Sequence, residues 1–298
     1  MSEIKNKVAV VTGAGSGIGR ALAYDLARRG ASLALSDVDA VGLAETVRHA
    51  RVIGATVHDQ RLDVTDRESV LAYADAIAAE FGRVDIVINN AGIAFSGDIA
   101  EMTFEQIERV MDVDFWGVVN GTKAFLPHLI ASGSKTDTSH LVNISSLFGL
   151  MSMPSQGAYN AAKFAVRGFT EALREEMLIA GHPVEVTCVH PGGIKTAIAR
   201  NAKAVEGRDA DALAAFFDKK LAKTSPESAA KTILRGVAGN RPRVLVGLDA
   251  KALDLLVRVV GARYQRIVAS QASKLMPRHG TPVSESVKVS DPRETASA

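Results

Sequence analysis

Short apolar runs alternate along the chain with longer stretches in which apolar residues recur at helical spacing. Val8 to Val11 is apolar throughout, as a strand buried on both faces requires. Glycines follow, and then a helical stretch through Ala21, Leu22 and Leu26. Leu33 to Leu35, ending at Ser36-Asp37, predicts a second strand. A helix through Leu43 and Val47 leads to a third strand near Thr56 to Leu62, and a helix over Val70 to Phe81 leads to a fourth at Ile86-Val87-Ile88. Helical stretches over Phe104 to Ile130 and Ala158 to Leu178 accompany strands at His140 to Ile144 and Val184 to Val189, and Val244-Leu245-Val246 reads as the last strand. Strands that alternate with helices predict a three-layer α/β fold, a doubly wound parallel sheet with helices on both faces.

The chain has 298 residues, enough for one large α/β domain. That domain is expected over residues 1–248, with residues 196–226 as an insertion between the last two strands. A helical pattern through Leu253, Leu256, Val257, Val260, Tyr264 and Ile267 predicts an extension over 249–276, and the polar residues 277–298 are expected to be disordered. A net charge of +2 gives no electrostatic case for nucleic acid. The one cysteine, Cys188, lies in an apolar run and reads as a buried strand residue. Without disulfides the chain suits a reducing compartment, and no run reaches the ~18 apolar residues of a membrane span, so a cytoplasmic protein is expected. No metal site is expected.

Chemistry enters at the first strand-to-helix turn, Thr12-Gly13-Ala14-Gly15-Ser16-Gly17-Ile18-Gly19. Glycines there let backbone approach a pyrophosphate, and the helix N-terminus supplies amide donors. Asp37, at the end of the second strand, would accept hydrogen bonds from adenosine ribose hydroxyls and repel a 2′-phosphate. No basic residue stands nearby to neutralise such a phosphate, so NAD is expected rather than NADP. Arg20 reads as part of a solvated helix face. A second constellation lies in Ala158-Tyr159-Asn160-Ala161-Ala162-Lys163, with Ser146 thirteen residues before the tyrosine. At helical spacing Lys163 shares a face with Tyr159, and a neighbouring cation lowers a phenol pKa from its usual ~10. A tuned phenol exchanges a proton with a hydroxyl or carbonyl.

Together with Asn89-Asn90-Ala91-Gly92, these motifs make the chain resemble the short-chain dehydrogenase/reductase superfamily over residues 5–248. The resemblance implies a Rossmann-like fold and hydride transfer between a nicotinamide and a carbon bearing oxygen. It implies Ser146, Tyr159 and Lys163 as catalytic residues: Tyr159 moves the proton, Lys163 lowers its pKa and holds the nicotinamide ribose, and Ser146 orients the substrate oxygen. Gly13, Ser16, Gly17, Ile18, Gly19 and Asp37 would bind the cofactor, with Asp63 and Val64 at the adenine. Asn90, Ala91 and Gly92 would line the adenosine side, and Pro191, Gly192, Ile194 and Thr196 the nicotinamide side. A cap for the helix beginning near Asp66 is the alternative reading of Asp63, and Asn89 reads as a structural hydrogen-bonder rather than a direct ligand. One departure stands out: Asp114, in Asp112-Val113-Asp114-Phe115-Trp116-Gly117, occupies the place of the family's usual asparagine.

Leu147, Phe148, Leu150, Met151 and Met153 lie near the active groups, and Ile198, Leu213, Phe216, Phe217 and Leu221 in the insertion. If the insertion closes over the cofactor, it makes an apolar lid, and a hydrophobic alcohol or carbonyl substrate follows; ordinary packing is the equal alternative. A non-catalytic NAD-binding regulator is the competing functional class. The resemblance implies a homodimer or homotetramer. The basic residues of the extension (Lys251, Arg258, Arg263, Arg266) raise membrane-surface contact, but packing is favoured.

Overall fold

The computed structural model describes residues 4–275 except 197, 199–201, 207, 209–214 and 216–221. Seven parallel strands form the central sheet in the order β3-β2-β1-β4-β6-β7-β9. They are β1 (Val8–Thr12), β2 (Ser32–Asp37), β3 (Val57–Arg61), β4 (Ile86–Asn89), β6 (Ser139–Ile144), β7 (Val184–Pro191) and β9 (Arg243–Val246). The sheet reverses its strand order between β1 and β4, where doubly wound folds open a crevice at the carboxyl edge.

Alternate residues of the buried strands feed two cores. Ala9, Val11, Leu33, Leu35 and Ile88 pack with α1 (Gly17–Arg28), α2 (Ala40–Ile53) and α7 (Pro226–Ala238). Val8, Val10, Val87, Leu141 and Val186 face α3 (Arg67–Phe81), α5 (Gly117–Ser132) and α6 (Gly157–Ala180). The continuous apolar runs thus serve both faces, as a parallel sheet demands. Cys188 is buried in β7, and burial pushes its thiol up to about 12.

The helix expected over Phe104 to Ile130 is interrupted. α4 (Phe104–Met111) opens with a capping box between Thr103 and Gln106. It passes into a π turn over Asp112–Trp116, where Gly117 N–H donates to Asp112 C=O, and then into α5. Hydrophobic periodicity does not reveal one inserted residue. Two further elements escaped the pattern. α7 begins at Pro226 behind the cap Ser225. A small sheet pairs β5 (Phe95–Ser96) with β8 (Lys203–Ala204).

At the amino edge of the sheet, Asp85 accepts from Val8 N at 2.8 Å and pairs with Lys7 (3.3 Å) and Arg83. Beyond β9, the extension forms α8 (Leu248–Val260) and α9 (Tyr264–Leu275). Leu253, Val257, Val260 and Tyr264 pack on Leu147 and Met151, whereas Ile267, expected in the same stripe, faces solvent. No helix among the described residues is long and apolar enough to cross a membrane. The expected tail beyond 276 lies outside the described residues.

Candidate active site

Every loop expected to carry chemistry leaves the carboxyl edge of a strand. The glycine loop follows β1, Asp37 ends β2, Asp63 and Val64 follow β3, Asn90 to Gly92 follow β4, Ser146 follows β6, and Pro191 ends β7 with Gly192 to Thr196 after it.

The glycine loop leaves no room for side chains at two positions. Gly13 has φ +65°, and a Cβ on Gly19 would stand 2.1 Å from Gly13 O. Ser16 caps α1 without a side-chain hydrogen bond, so its hydroxyl leaves the first-turn amides free of a side-chain cap among the described residues. Asp37 accepts from Gly15 N at 2.7 Å and from Asp39 N at 2.9 Å. It does not cap α2, which Asp39 does. The Asp37 carboxylate retains acceptor capacity for hydroxyls. A close-approach glycine turn, uncapped amides and a terminal carboxylate fit a dinucleotide.

Arg20 is not a solvated residue. Its guanidinium donates to Gly15 O at 2.5 Å, Gly42 O at 3.1 Å and Thr46 Oγ1 at 3.0 Å, so it braces the loop from behind. Thr12 Oγ1 accepts from Asn90 N and Ala91 N at 3.0 and 3.1 Å, and Asn90 Nδ2 returns to Thr12 O and Gly13 O. Asn89 is buried and donates to Asn143 Oδ1 at 2.9 Å, a structural role. Asp63 caps no helix. It accepts from Thr65 N and Oγ1, while Asp66 caps α3. Val64 O accepts from Asn120 Nδ2 at 2.9 Å, which fixes this loop on α5.

Ser146, Tyr159 and Lys163 line one cavity of about 300 Å³, with Asn90, Gly92, Pro191, Gly192, Ile194 and Thr196. Ile18, Leu147, Phe148, Met153, Ile198 and Leu253 make most of its wall apolar. Leu150 and Met151 are buried packing residues instead. Leu213, Phe216, Phe217 and Leu221 of the expected lid lie outside the described residues. The described part of the insertion is fastened to the body: Val205 is buried, and Arg208 pairs with Asp98 (2.9 Å) and Glu101 (2.8 Å).

Within the cavity, Ser146 caps a short 3₁₀ turn and accepts from Phe148 N at 3.1 Å. Its carbonyl accepts from Nδ1 of the buried His190 at 2.9 Å, a contact that sets the imidazole tautomer. Lys163 Nζ lies 5.5 Å from the Tyr159 ring centroid. It donates to Ile144 O at 3.3 Å and pairs with Asp114 Oδ2 at 3.6 Å. Asp114 is fully buried; its Oδ1 accepts from Ile93 N at 2.7 Å, while Oδ2 has no hydrogen-bond partner among the described residues.

Lys163 pulls on the phenol as expected, but burial sets the net direction. Burial pushes the Tyr159 phenol up; Lys163 and the Ser146 hydroxyl pull it down, but Asp114 adds to the rise, and the net direction is upward. Burial favours a neutral Lys163, yet Asp114 and Tyr159 outweigh it and the ammonium is held above its usual range. Burial also raises Asp114, against the pull of Lys163.

The sequence reading missed Asp249 and Lys223, which also line the cavity. Their elements lie far along the chain, and no motif marks them.

The profile of the short chain dehydrogenase family matches residues 7–207. A putative oxidoreductase named SadH from Mycobacterium tuberculosis is 64% identical over 277 residues, covering 93% of this chain and 99% of that protein. A short chain dehydrogenase/reductase from Burkholderia phymatum, solved in complex with NAD, has a TM-score of 0.80 at 32% identity, covering 95% of this chain and 99% of that one. An alcohol dehydrogenase from the archaeon Thermococcus sibiricus, solved with 5-hydroxy-NADP, has a TM-score of 0.69 at 26% identity, with 81% and 96% covered. The fold agrees with these likenesses, and the chain belongs to the short-chain dehydrogenase/reductase family of nicotinamide-dependent oxidoreductases.

Proposed function

We propose that this protein interconverts a secondary alcohol and a ketone on an apolar substrate, using NAD, with Tyr159 as general acid/base. The observation that carries the reading is the convergence of Ser146, Tyr159 and Lys163 on one largely apolar cavity bounded by Pro191 to Thr196. Gly13, Ser16, Gly17, Ile18 and Gly19 hold the pyrophosphate, Asp37 the adenosine ribose, and Asp63 and Val64 the adenine. Asn90, Ala91 and Gly92 support the adenosine side, and Pro191, Gly192, Ile194 and Thr196 the nicotinamide side. Bound NAD supplies the hydride acceptor and, when oxidised, a positive charge that favours the phenolate. Asp37 carries the preference for NAD, because its carboxylate repels a 2′-phosphate.

Ser146 holds the substrate oxygen against Tyr159. Burial holds the Tyr159 pKa up, which suits the phenol to donate a proton to a carbonyl oxygen. Alcohol oxidation gains as pH rises and the phenolate forms.

The test is a screen of hydrophobic secondary alcohols and ketones with NAD and NADP, following reduced-nicotinamide absorbance. Turnover with NAD and its loss by about 10²–10⁴-fold in Tyr159→Phe, with NADH binding retained, is the expected result. A clear preference for NADP overturns the role given to Asp37. A biological role undiminished in Tyr159→Phe favours a non-catalytic regulator.

A further inference from the structure

Asp249 sits in the first turn of α8. A carboxylate there ordinarily faces the free amides of its own helix. Here Oδ2 reaches out of the helix and accepts a hydrogen bond from Gly193 N at 2.6 Å. The surrounding backbone is glycine where the carboxylate lies. A Cβ on Gly192 would stand 2.2 Å from Asp249 Oδ2, and one on Gly247 would stand 2.3 Å from Oδ1. The same turn is held from two other directions. Gly193 O accepts from Lys223 N and Thr224 N at 3.1 and 3.2 Å, and Gly192 N donates to Val246 O at 2.9 Å.

The helix that delivers Asp249 is itself fastened to the pocket. Leu253, one turn on, lines the cavity beside Asp249, Gly192, Gly193 and Ile194. Tyr264, at the start of α9, is buried, and its hydroxyl accepts from Ser152 N at 2.9 Å. The extension therefore forms a wall of the cavity that holds Tyr159, joined to the turn after β7 by one carboxylate.

We propose that Asp249 is a positioning residue: through it the C-terminal extension fixes the Gly192-Gly193 turn against which the nicotinamide end of the cofactor is held. The inference rests on the NAD-dependent reading above. Without the carboxylate, Gly193 N loses its acceptor in a partly buried turn, and the turn is no longer pinned to α8. Asp37 and the turn over residues 13–15, at the adenosine end, are held by other partners and are expected to keep their geometry.

The experiment measures binding of NADH and of ADP-ribose, which lacks the nicotinamide, to wild type, Asp249→Ala, Asp249→Leu and Asp249→Asn. Loss of a hydrogen bond to a charged acceptor is expected to weaken NADH about tenfold in Asp249→Ala and Asp249→Leu. ADP-ribose affinity stays at the wild-type level. Asn keeps an acceptor oxygen, so Asp249→Asn restores most of the NADH affinity. Unchanged NADH binding in both apolar variants overturns the proposal, as does equal weakening of both ligands. A failure of Asp249→Asn to recover overturns it too. If neither apolar variant folds, Asp249 is a folding determinant and the positioning role falls. A wild type that binds neither NADH nor ADP-ribose instead overturns the nicotinamide reading itself.

Discussion

Asp114 alters the proton chemistry of its neighbours without entering the cavity wall. Its buried carboxylate sits 3.6 Å from Lys163 Nζ and opposes the pull of that ammonium on Tyr159. In Asp114→Asn the side-chain oxygen still accepts from Ile93 N, but the negative charge is gone. With Lys163 still charged, the phenolate of Tyr159 becomes easier to form, so the midpoint of the rise of alcohol oxidation with pH is expected to move down. A kcat-versus-pH series on both proteins measures it, and an unmoved or upward-moved midpoint contradicts the assigned electrostatics. A turnover gain of tenfold or more would add that the carboxylate in place of the family's usual asparagine slows proton transfer. Residue types were legible here and their net effect was not. Tyr159, Lys163 and Ser146 announce themselves by spacing, but burial, the largest influence on the phenol, is a property of the folded cavity. Arg20 misled for the same reason: its partners Gly42 and Thr46 belong to the following helix.

Among elements, the central strands were the most legible because β1, β4 and β6 are buried on both faces and their apolar runs have few readings. The two-residue strands β5 and β8 carry no period at all, and a π turn looks like helix to any pattern of apolar spacing. The extension shows how far periodicity reaches. Leu253, Val257, Val260 and Tyr264 face the body as expected, but the chain re-enters helix after a 3₁₀ turn at Gly261–Arg263, and Ile267 ends on the solvent side. Tyr264 links this element to the segment after the 3₁₀ turn that follows Ser146. Tyr264→Phe leaves Ser152 N without its acceptor and is expected to cost about 1 kcal/mol of stability, seen as a lower midpoint in urea or thermal melts. A midpoint equal to wild type would mean that water replaces the hydroxyl.

At the scale of the molecule, Phe104, Trp116 and Phe164 are exposed on α4, the π turn and α6, elements that pack together. Family members generally assemble, and this face is the expected contact between copies. Trp116→Arg is predicted to reduce the mass seen by light scattering, and an unchanged mass places the contact elsewhere. Two buried histidines set an acid limit. Burial lowers His140 and His190 to about 4, below the usual value near ~6.5. Between those pH values the unfolded chain binds protons that the folded chain refuses, so stability falls as pH drops from about 6.5 to about 4 and levels below that. The loss is at most about 3 kcal/mol for each histidine, and melts across that range measure it. A stability flat over that window contradicts it.

The two histidines stand at opposite rims of the sheet: His140 near Lys7, Asp85 and Asp137, and His190 against Ser146. A strand of six residues such as β6 spans roughly 20 Å, more than twice the ~8 Å over which physiological salt screens exposed charge. The groups that shift Tyr159 (burial aside, Lys163, Asp114 and Ser146) all lie at the carboxyl rim. A change of charge around Asp85 is therefore expected to register in the stability of the fold rather than in the phenol of Tyr159.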